Sequence, residues 1–485
     1  MELSWTVLLS AIGLLLFGYF YHVNRAMSIL PEEAEKIARK PWTKEEIQAA
    51  YEKCRRERPD FKKDLPPKQN RRYVVFGGSG LVGGWLVEHL IMRGESPSAV
   101  RIADLQAPRR DQAVKQRVPY FRADVTDAAS VSKVFTTPWP AEHAKLPLTV
   151  FHTVAYIHAG YRKADFLDTY MKVNVEGTEN VLQAAKAAGC DVFIATSSCS
   201  TAIRPLEFFI YPWEKHPRNF VQLSENGEPP PLKLENFAGC YAYTKALAEK
   251  LVRDADSKRD SFRTGAIRPG HTIYGHGDQN KNSVVYDYLR RGGLQTWLTP
   301  FVLQYVSAQN VSLAHLLYEA RLLAGHDIGG NAYAVCDPGP PFRYSDLYRA
   351  MSTLAHPSTP IKWPEVQPLP LLLIAHLVEG YMLLRRRYLG FLPEVTNFDL
   401  SMLQPAVFNY STLVIIYDDS RARRELGYNT SHDTLEGVCL HMLEWNEQAE
   451  ARLKAKGEAA EEEEEEEVAT VPEKTVPGVA QRVAA

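Results

Sequence analysis

Six cysteines, with no C-x-x-C pair and no regular spacing, supply neither a zinc site nor a disulfide framework. Cys54, Cys190, Cys199, Cys240, Cys336 and Cys439 therefore read as reduced thiols of a cytosol-facing protein. Charge is also scarce in one sense: the formal net charge is −2, and the run Glu461 to Glu467 more than accounts for it. No Lys/Arg block is dense enough to track a phosphate backbone, which excludes nucleic acid as a partner. Internal repeats are absent as well. The 45% hydrophobic and 24% charged residues exclude a disordered chain and allow a large core in one or two domains.

Uncharged apolar stretches of membrane length are rare, which makes the first one conspicuous. "LSWTVLLSAIGLLLFGYFYHV", Leu3 to Val23, contains no Asp, Glu, Lys or Arg, and about 20 apolar residues suffice to span a bilayer. A cleaved signal peptide requires a basic start and a small-residue cleavage site. Here only Glu2 precedes the run and no A-x-A follows, so residues 1–24 read as a retained anchor, a transmembrane helix. Arg25, Lys36, Arg39 and Lys40 follow it, and the positive-inside rule then puts the rest of the chain in the cytosol. Residues 25–70 form a polar helical connector, read as a spacer, in which "TKEE" at Thr43 to Glu46 is a capping box.

From residue 71 short apolar runs alternate with helical stretches: "YVVFGG", "AVRIADL", "PYFRADV", "TVFHTVAY", "DVFIATSS" and "FRTGAIRPG". That order predicts an α/β fold, a Rossmann-type doubly wound parallel sheet over 71–300. The alternation weakens afterwards, which assigns 301–450 to a smaller C-terminal substrate domain. Residues 451–485 read as a disordered acidic tail.

"YVVFGGSGLVGGWLVEHL" places Gly77, Gly80 and Gly83 between a strand and a helix, where a tight turn must let backbone approach a pyrophosphate. Asp104 closes the next strand about twenty residues on, the place for a carboxylate that binds ribose hydroxyls and repels a 2′-phosphate. NAD is expected and NADP disfavoured, although Arg109 and Arg110 lie close by. Asp124, in "RADVTD", has two readings, an adenine contact or a helix-capping aspartate.

In "GCYAYTKALAEK", Tyr241 and Lys245 are four apart and so share one face of a breaker-free helix. The same spacing in Tyr211 and Lys215 lies between Pro212 and Pro217, which discourage a continuous helix. A nearby ammonium can lower a phenol from about 10 by roughly 1 to 3 units, so Tyr241 is a candidate base.

Taken in order, "FGGSGLVGG", "ADVTD", "VNVEGTENVLQAAKAAG", "FIATSSCS", "YAYTKALAEKLV", "IRPGHTIYGHGD", "NVSLAHLLYEARLL" and "DDSRARRELGYNTSHDTLEG" resemble the extended short-chain dehydrogenase/reductases, in the 3β-hydroxysteroid dehydrogenase branch. The resemblance runs from about Tyr73 to Trp445. It implies that Ser198, Tyr241 and Lys245 are catalytic, that Tyr241 and Lys245 also border the cofactor, and that Lys245 binds the nicotinamide ribose. Asn174, in "VNVEGT", either supports this group or is a helix amide bonded to backbone. The implied reaction is NAD-dependent oxidation of a 3β-hydroxyl on a sterol, a 4α-carboxysterol with ensuing decarboxylation within this branch. An endoplasmic-reticulum membrane is the implied location, and a homodimer is compatible with the pattern.

"HTVAYIHAG" departs from the usual small-residue stretch, and His152 and His158 there read as core or rim residues rather than metal ligands. No metal site is expected. Cys199 and Cys240, without a basic partner, read as packing residues. "PLPLLLIAHLVEGYMLLRRRYLGFLP", residues 368 to 393, is a second apolar stretch, broken by His376 and Glu379. It has two readings: an interfacial helix whose Arg385 to Arg387 meet lipid head groups, or a core helix.

Overall fold

The computed structural model describes residues 5–108, 116–278 and 283–469. Its central sheet is formed by β1 (Arg72–Phe76), β2 (Val100–Asp104), β3 (Tyr120–Arg122), β4 (Leu148–His152), β5 (Cys190–Thr196), β6 (Arg263–Pro269) and β7 (Ala332–Val335). All pairings are parallel and the spatial order is β7-β6-β5-β4-β1-β2-β3. The order reverses beside β1, where open α/β sheets bind ligands at the carboxyl ends of the strands.

Strand periodicity explains why both faces are covered. Tyr73 and Val75 enter one core cluster, Val74 and Phe76 the other, so β1 must be apolar at consecutive positions. The apolar N-terminal helix α1 (Trp5–Ala26) and the connector helix α2 (Lys44–Arg56) precede the sheet. Helix α3 (Leu81–Met92) shares the first cluster, whereas α4 (Ala128–Thr136), α5 (Gly177–Ala187) and α6 (Cys240–Asp254) contribute Val131, Val181 and Val252 to the second. Helix α7 (Ala308–Leu323) returns to the first face through Val311 and Ala314.

Two boundaries differ from the sequence expectation. The sheet does not end at residue 300: β7 belongs to it and α7 packs on its face, and β7 was hard to read because it is a four-residue strand set among turns. Nor is the connector a loose spacer. Val23, Ala26, Met27, Trp42, Ile47 and Cys54 are buried in the largest core cluster, together with Leu435, Val438 and Met442. The capping box at Thr43 and Glu46 is present, and the apolar face of the helix it opens, carrying Ile47 and Cys54, is covered by protein rather than water.

The remaining chain forms a second lobe. Val221–Glu225 pairs in parallel with Val414–Asp418, and this part includes α8 (Pro368–Arg387) and α9 (Thr434–Ala469). Helix α9 continues past Ala451, where a tail was expected, through the glutamate run to Ala469. Residues 470–485 lie outside the described residues.

Candidate active site

The glycine loop joins β1 to α3. Gly77 has φ +81°, and a Cβ on Gly83 would collide with the Gly77 carbonyl, so neither position tolerates a side chain. Gly80 precedes α3 and donates to the Gly77 carbonyl at 2.9 Å, and no side chain caps the helix. An uncapped helix start beside stripped backbone suits a dinucleotide pyrophosphate. At the end of β2, the Asp104 carboxylate accepts from the amides of Ser79 and Gln106, each at 3.1 Å, which fixes it against the loop. Arg109 and Arg110 lie outside the described residues. Asp124 is not the cap of α4; Asp127 is. One Asp124 oxygen accepts from the Thr126 amide and hydroxyl, and these bonds hold its carboxyl below the usual range.

Tyr241 and Lys245 lie on α6, one turn apart, as the spacing predicts. The Ser198 side chain lies close enough to the Tyr241 phenol to favour its ionised form. Ser198 follows β5 in an extended conformation, and its Oγ also meets the Ser200 Oγ at 2.8 Å. Lys245 is buried and donates to the Thr196 carbonyl at 2.7 Å. The electrostatics differ from the expectation of a phenol lowered by an ammonium. Desolvation pushes Tyr241 up to about 12, opposed by the neighbouring Ser198. The same cause pulls Lys245 down to about 8, opposed by the Glu249 carboxylate. Tyr211, by contrast, sits on an exposed turn stacked on Trp213, away from any helix.

Asn174 lies in a turn of π-helix, Met171–Glu176, that precedes α5. Its Oδ1 accepts from the Tyr156 amide at 2.7 Å, and its Nδ2 donates to the Tyr156 carbonyl and to the Thr244 hydroxyl. The amide thus ties the loop after β4 to α6 one residue before Lys245. His152 is buried against the Thr178 hydroxyl at 3.0 Å, and burial lowers it to about 3. His158 stacks on Tyr161. Among the described residues no group of His, Cys, Asp and Glu could hold a metal. Cys199 and Cys240 are buried thiols bonded to backbone carbonyls, with burial raising both.

Residues 74–360 match the model of the 3-beta hydroxysteroid dehydrogenase/isomerase family. The chain belongs to that family. It is similar to the human sterol-4-alpha-carboxylate 3-dehydrogenase, decarboxylating, with 26% identity over 59% of this chain and 67% of that protein. Mouse short-chain dehydrogenase/reductase family 42E member 1 is 27% identical over 79% of this chain and 89% of its own length. The 3 beta-hydroxysteroid dehydrogenase/Delta 5-->4-isomerase of Mycobacterium tuberculosis is 25% identical over 76% and 88%. Among solved structures, UDP-glucose-4-epimerase from Stenotrophomonas maltophila with bound NAD has a TM-score of 0.54 at 17% identity, covering 79% of this chain and 99% of that one. That likeness is one of fold. Family membership makes the chain an oxidoreductase acting on a CH–OH group.

Sequence reasoning missed what stands behind the lysine in this family member. Glu249, four residues after Lys245, is buried; its carboxylate accepts from the Ser197 hydroxyl at 2.6 Å and from Arg268 on β6 at 2.8 and 2.5 Å. Arg268 is completely buried and also reaches the Asn226 carbonyl and Glu228. The i, i+4 spacing of Lys245 and Glu249 was a visible signal, but an exposed helix pair has the same spacing. Only the fold brings β6 under it.

Proposed function

We propose that this protein uses NAD to oxidise the 3β-hydroxyl of a sterol bearing a 4α-carboxylate, and that the product loses carbon dioxide. The observation that carries the reading is Tyr241 on the helix whose next turn buries Lys245 against the Thr196 carbonyl, at the end of the strand that Ser198 follows. Gly77, Gly80 and Gly83 would cradle the pyrophosphate, Asp104 the adenosine ribose, and Lys245 the nicotinamide ribose; Asp124 would border the adenine. NAD, when bound, supplies the acceptor for the hydride leaving the carbinol carbon. Ser198 holds the alcohol oxygen, and Tyr241 Oη takes its proton as the carbonyl forms. Asn174 positions α6 through Thr244.

The 4α-carboxylate adds a consequence. Oxidation at the neighbouring carbon gives a β-keto acid, whose bond to the carboxylate breaks because the new ketone accepts the electron pair as an enolate. With substrate labelled in that carboxylate, labelled carbon dioxide and NADH are expected one for one. NADH formed with the label retained in the sterol would leave a plain 3β-hydroxysteroid dehydrogenase.

The ribose role of Asp104 predicts a preference for NAD over NADP that Asp104→Ala narrows by about tenfold or more, since a like-charge contact with a 2′-phosphate is worth several kcal/mol. Equal kcat/KM with both cofactors in the unaltered enzyme would remove that role.

Helix α1 serves as the anchor in this reading. It is long and apolar enough to cross a membrane, and the basic residues after it orient the catalytic lobe to the cytosolic side of the endoplasmic reticulum. Protease added to sealed microsomes is expected to digest the lobe, and full protection would place it in the lumen.

A further inference from the structure

The face of α6 that carries Tyr241 and Lys245 has a third member. Tyr241, Lys245 and Glu249 follow one another at four-residue steps, so they line one stripe of the helix over about 12 Å. Three consecutive residues at the end of β5 meet that stripe. Thr196 presents its carbonyl to Lys245 Nζ at 2.7 Å, the Ser197 hydroxyl donates to Glu249 Oε2 at 2.6 Å, and Ser198 lies beside the Tyr241 phenol. Ser197 is held from β6 as well. Its amide donates to the Ile267 carbonyl at 2.6 Å, and the next residue, Arg268, donates to both Glu249 oxygens. Helix α7 takes the Thr196 side chain: His315 gives its Nδ1 proton to the Val311 carbonyl at 2.8 Å and so accepts from the Thr196 hydroxyl at Nε2, 2.9 Å away.

Stability alone does not call for such an arrangement. Removing one partner of a buried ion pair is costly, but replacing the whole pair by apolar residues of the same shape is often neutral. What an apolar replacement cannot supply is a fixed direction for the backbone of residues 196–198 and a negative charge one turn from Lys245. The lysine needs that charge, because it is buried and its hydrogen bond ends on a neutral carbonyl.

We propose that Glu249 is a positioning residue for the oxidation: through Ser197 it holds the strand end bearing Ser198 in register with Tyr241, and it supplies the counter-charge of Lys245. The inference rests on the roles given above to Tyr241, Ser198 and Lys245. Burial acts to raise the Glu249 carboxyl, but Arg268 overrides it and brings the group below its ordinary range, so the carboxylate is ionised. The other groups around the lysine do not replace it. Arg268 and Arg253 are cations bonded to this same carboxylate. Burial keeps His152 of β4 neutral, at about 3, and His315 of α7, at about 4. Tyr241, held at about 12, is protonated at neutral pH.

The test uses the full-length chain in detergent with NAD and whichever of a 4α-carboxysterol and a plain 3β-hydroxysterol the parent oxidises, followed as NADH across the pH range. Ser197→Ala leaves the Glu249–Arg268 pair intact; it is expected to lower kcat by about 10- to 100-fold, the scale on which misplacement acts, with KM for NAD within about twofold. Glu249→Gln is expected to lower kcat likewise and to move the pH profile. The carboxylate favours the ammonium, so its loss takes Lys245 further below about 8, and the bend in the oxidation profile where the lysine loses its charge shifts acidward by about one unit or more. Glu319→Gln is the reference for a damaged buried pair. Glu319 faces Arg93 and Thr149, each at 2.8 Å, by the amino-terminal end of β4, and this variant should keep the parent's kcat and bend. Parental kcat in Ser197→Ala and an unmoved bend in Glu249→Gln, beside an inactive Tyr241→Phe, would overturn this inference alone. Equal losses in these two variants and in Glu319→Gln, with the bend in place, would overturn it in favour of a purely structural pair. Should Glu249→Gln fail to fold, kcat of Ser197→Ala decides. An active Tyr241→Phe would overturn the reading of the site and this inference with it.

Discussion

Tyr241→Phe is expected to lower alcohol oxidation by about 10²- to 10⁴-fold, the span that a positioned general base contributes, while cofactor affinity stays within about twofold of the parent. The substitution removes one oxygen and almost no volume, so the helix and the glycine loop are untouched. The direction of the pH dependence follows from the site. Because desolvation holds the Tyr241 phenol up at about 12, the group is protonated at neutral pH, and kcat/KM for oxidation should climb as pH rises from 7 toward 10. Ketone reduction, which needs the proton in place, should stay nearly level over the same range, because a phenol held at about 12 keeps its proton. Lys245, which desolvation lowers to about 8, loses its charge inside that window. Tyr211→Phe should match the parent throughout. A phenylalanine enzyme that kept its rate and its pH profile would remove Tyr241 from the chemistry.

Glu249→Ala should destabilise the fold by about 3 kcal/mol or more, because it leaves the fully buried Arg268 guanidinium with only the half-exposed Glu228 as a carboxylate partner. Ser197 loses its acceptor at the same time. Arg253→Ala, which removes a partly exposed neighbour 3.3 Å from the same carboxylate, should cost under about 1 kcal/mol. Urea unfolding of the detergent-solubilised chains compares the two directly. Equal midpoints for Glu249→Ala and the parent would mean that Arg268 finds full compensation elsewhere.

The contrast between these two residues shows what a sequence makes legible. Tyr241 could be found because a helical repeat puts it with Lys245, and because the proline-flanked pair at Tyr211 fails the same geometric condition. The glycine loop could be found because its demand is local: a left-handed turn at Gly77 and a close approach at Gly83. Arg268 could not be found that way. Its partner Glu249 is near in space but belongs to a helix nineteen residues upstream, and "AIRPG" reads like any buried strand with one basic residue. The proton affinities were illegible for a related reason. Spacing gives the neighbour of a phenol, whereas burial by the surrounding lobe decides the sign of its shift. Helix α8 was visible as an apolar run, but the partner of its buried Glu379 is Arg162, 217 residues away.

The burial of the connector has a consequence for how the chain is made. Tyr51 receives a hydrogen bond from Asn446, 395 residues later, and Ile47 and Trp42 share a core with Val438 and Met442. At roughly 5–20 residues per second, about 20 to 80 s of synthesis separates the two halves of that contact. Helix α1 and the connector are therefore made long before the segment that completes their core. During that interval Trp42 and Ile47 are without their last partners, a vulnerable state for an apolar surface open to water. A nascent chain that stops before Leu435 would stay in that state, with Tyr241 and Lys245 already made.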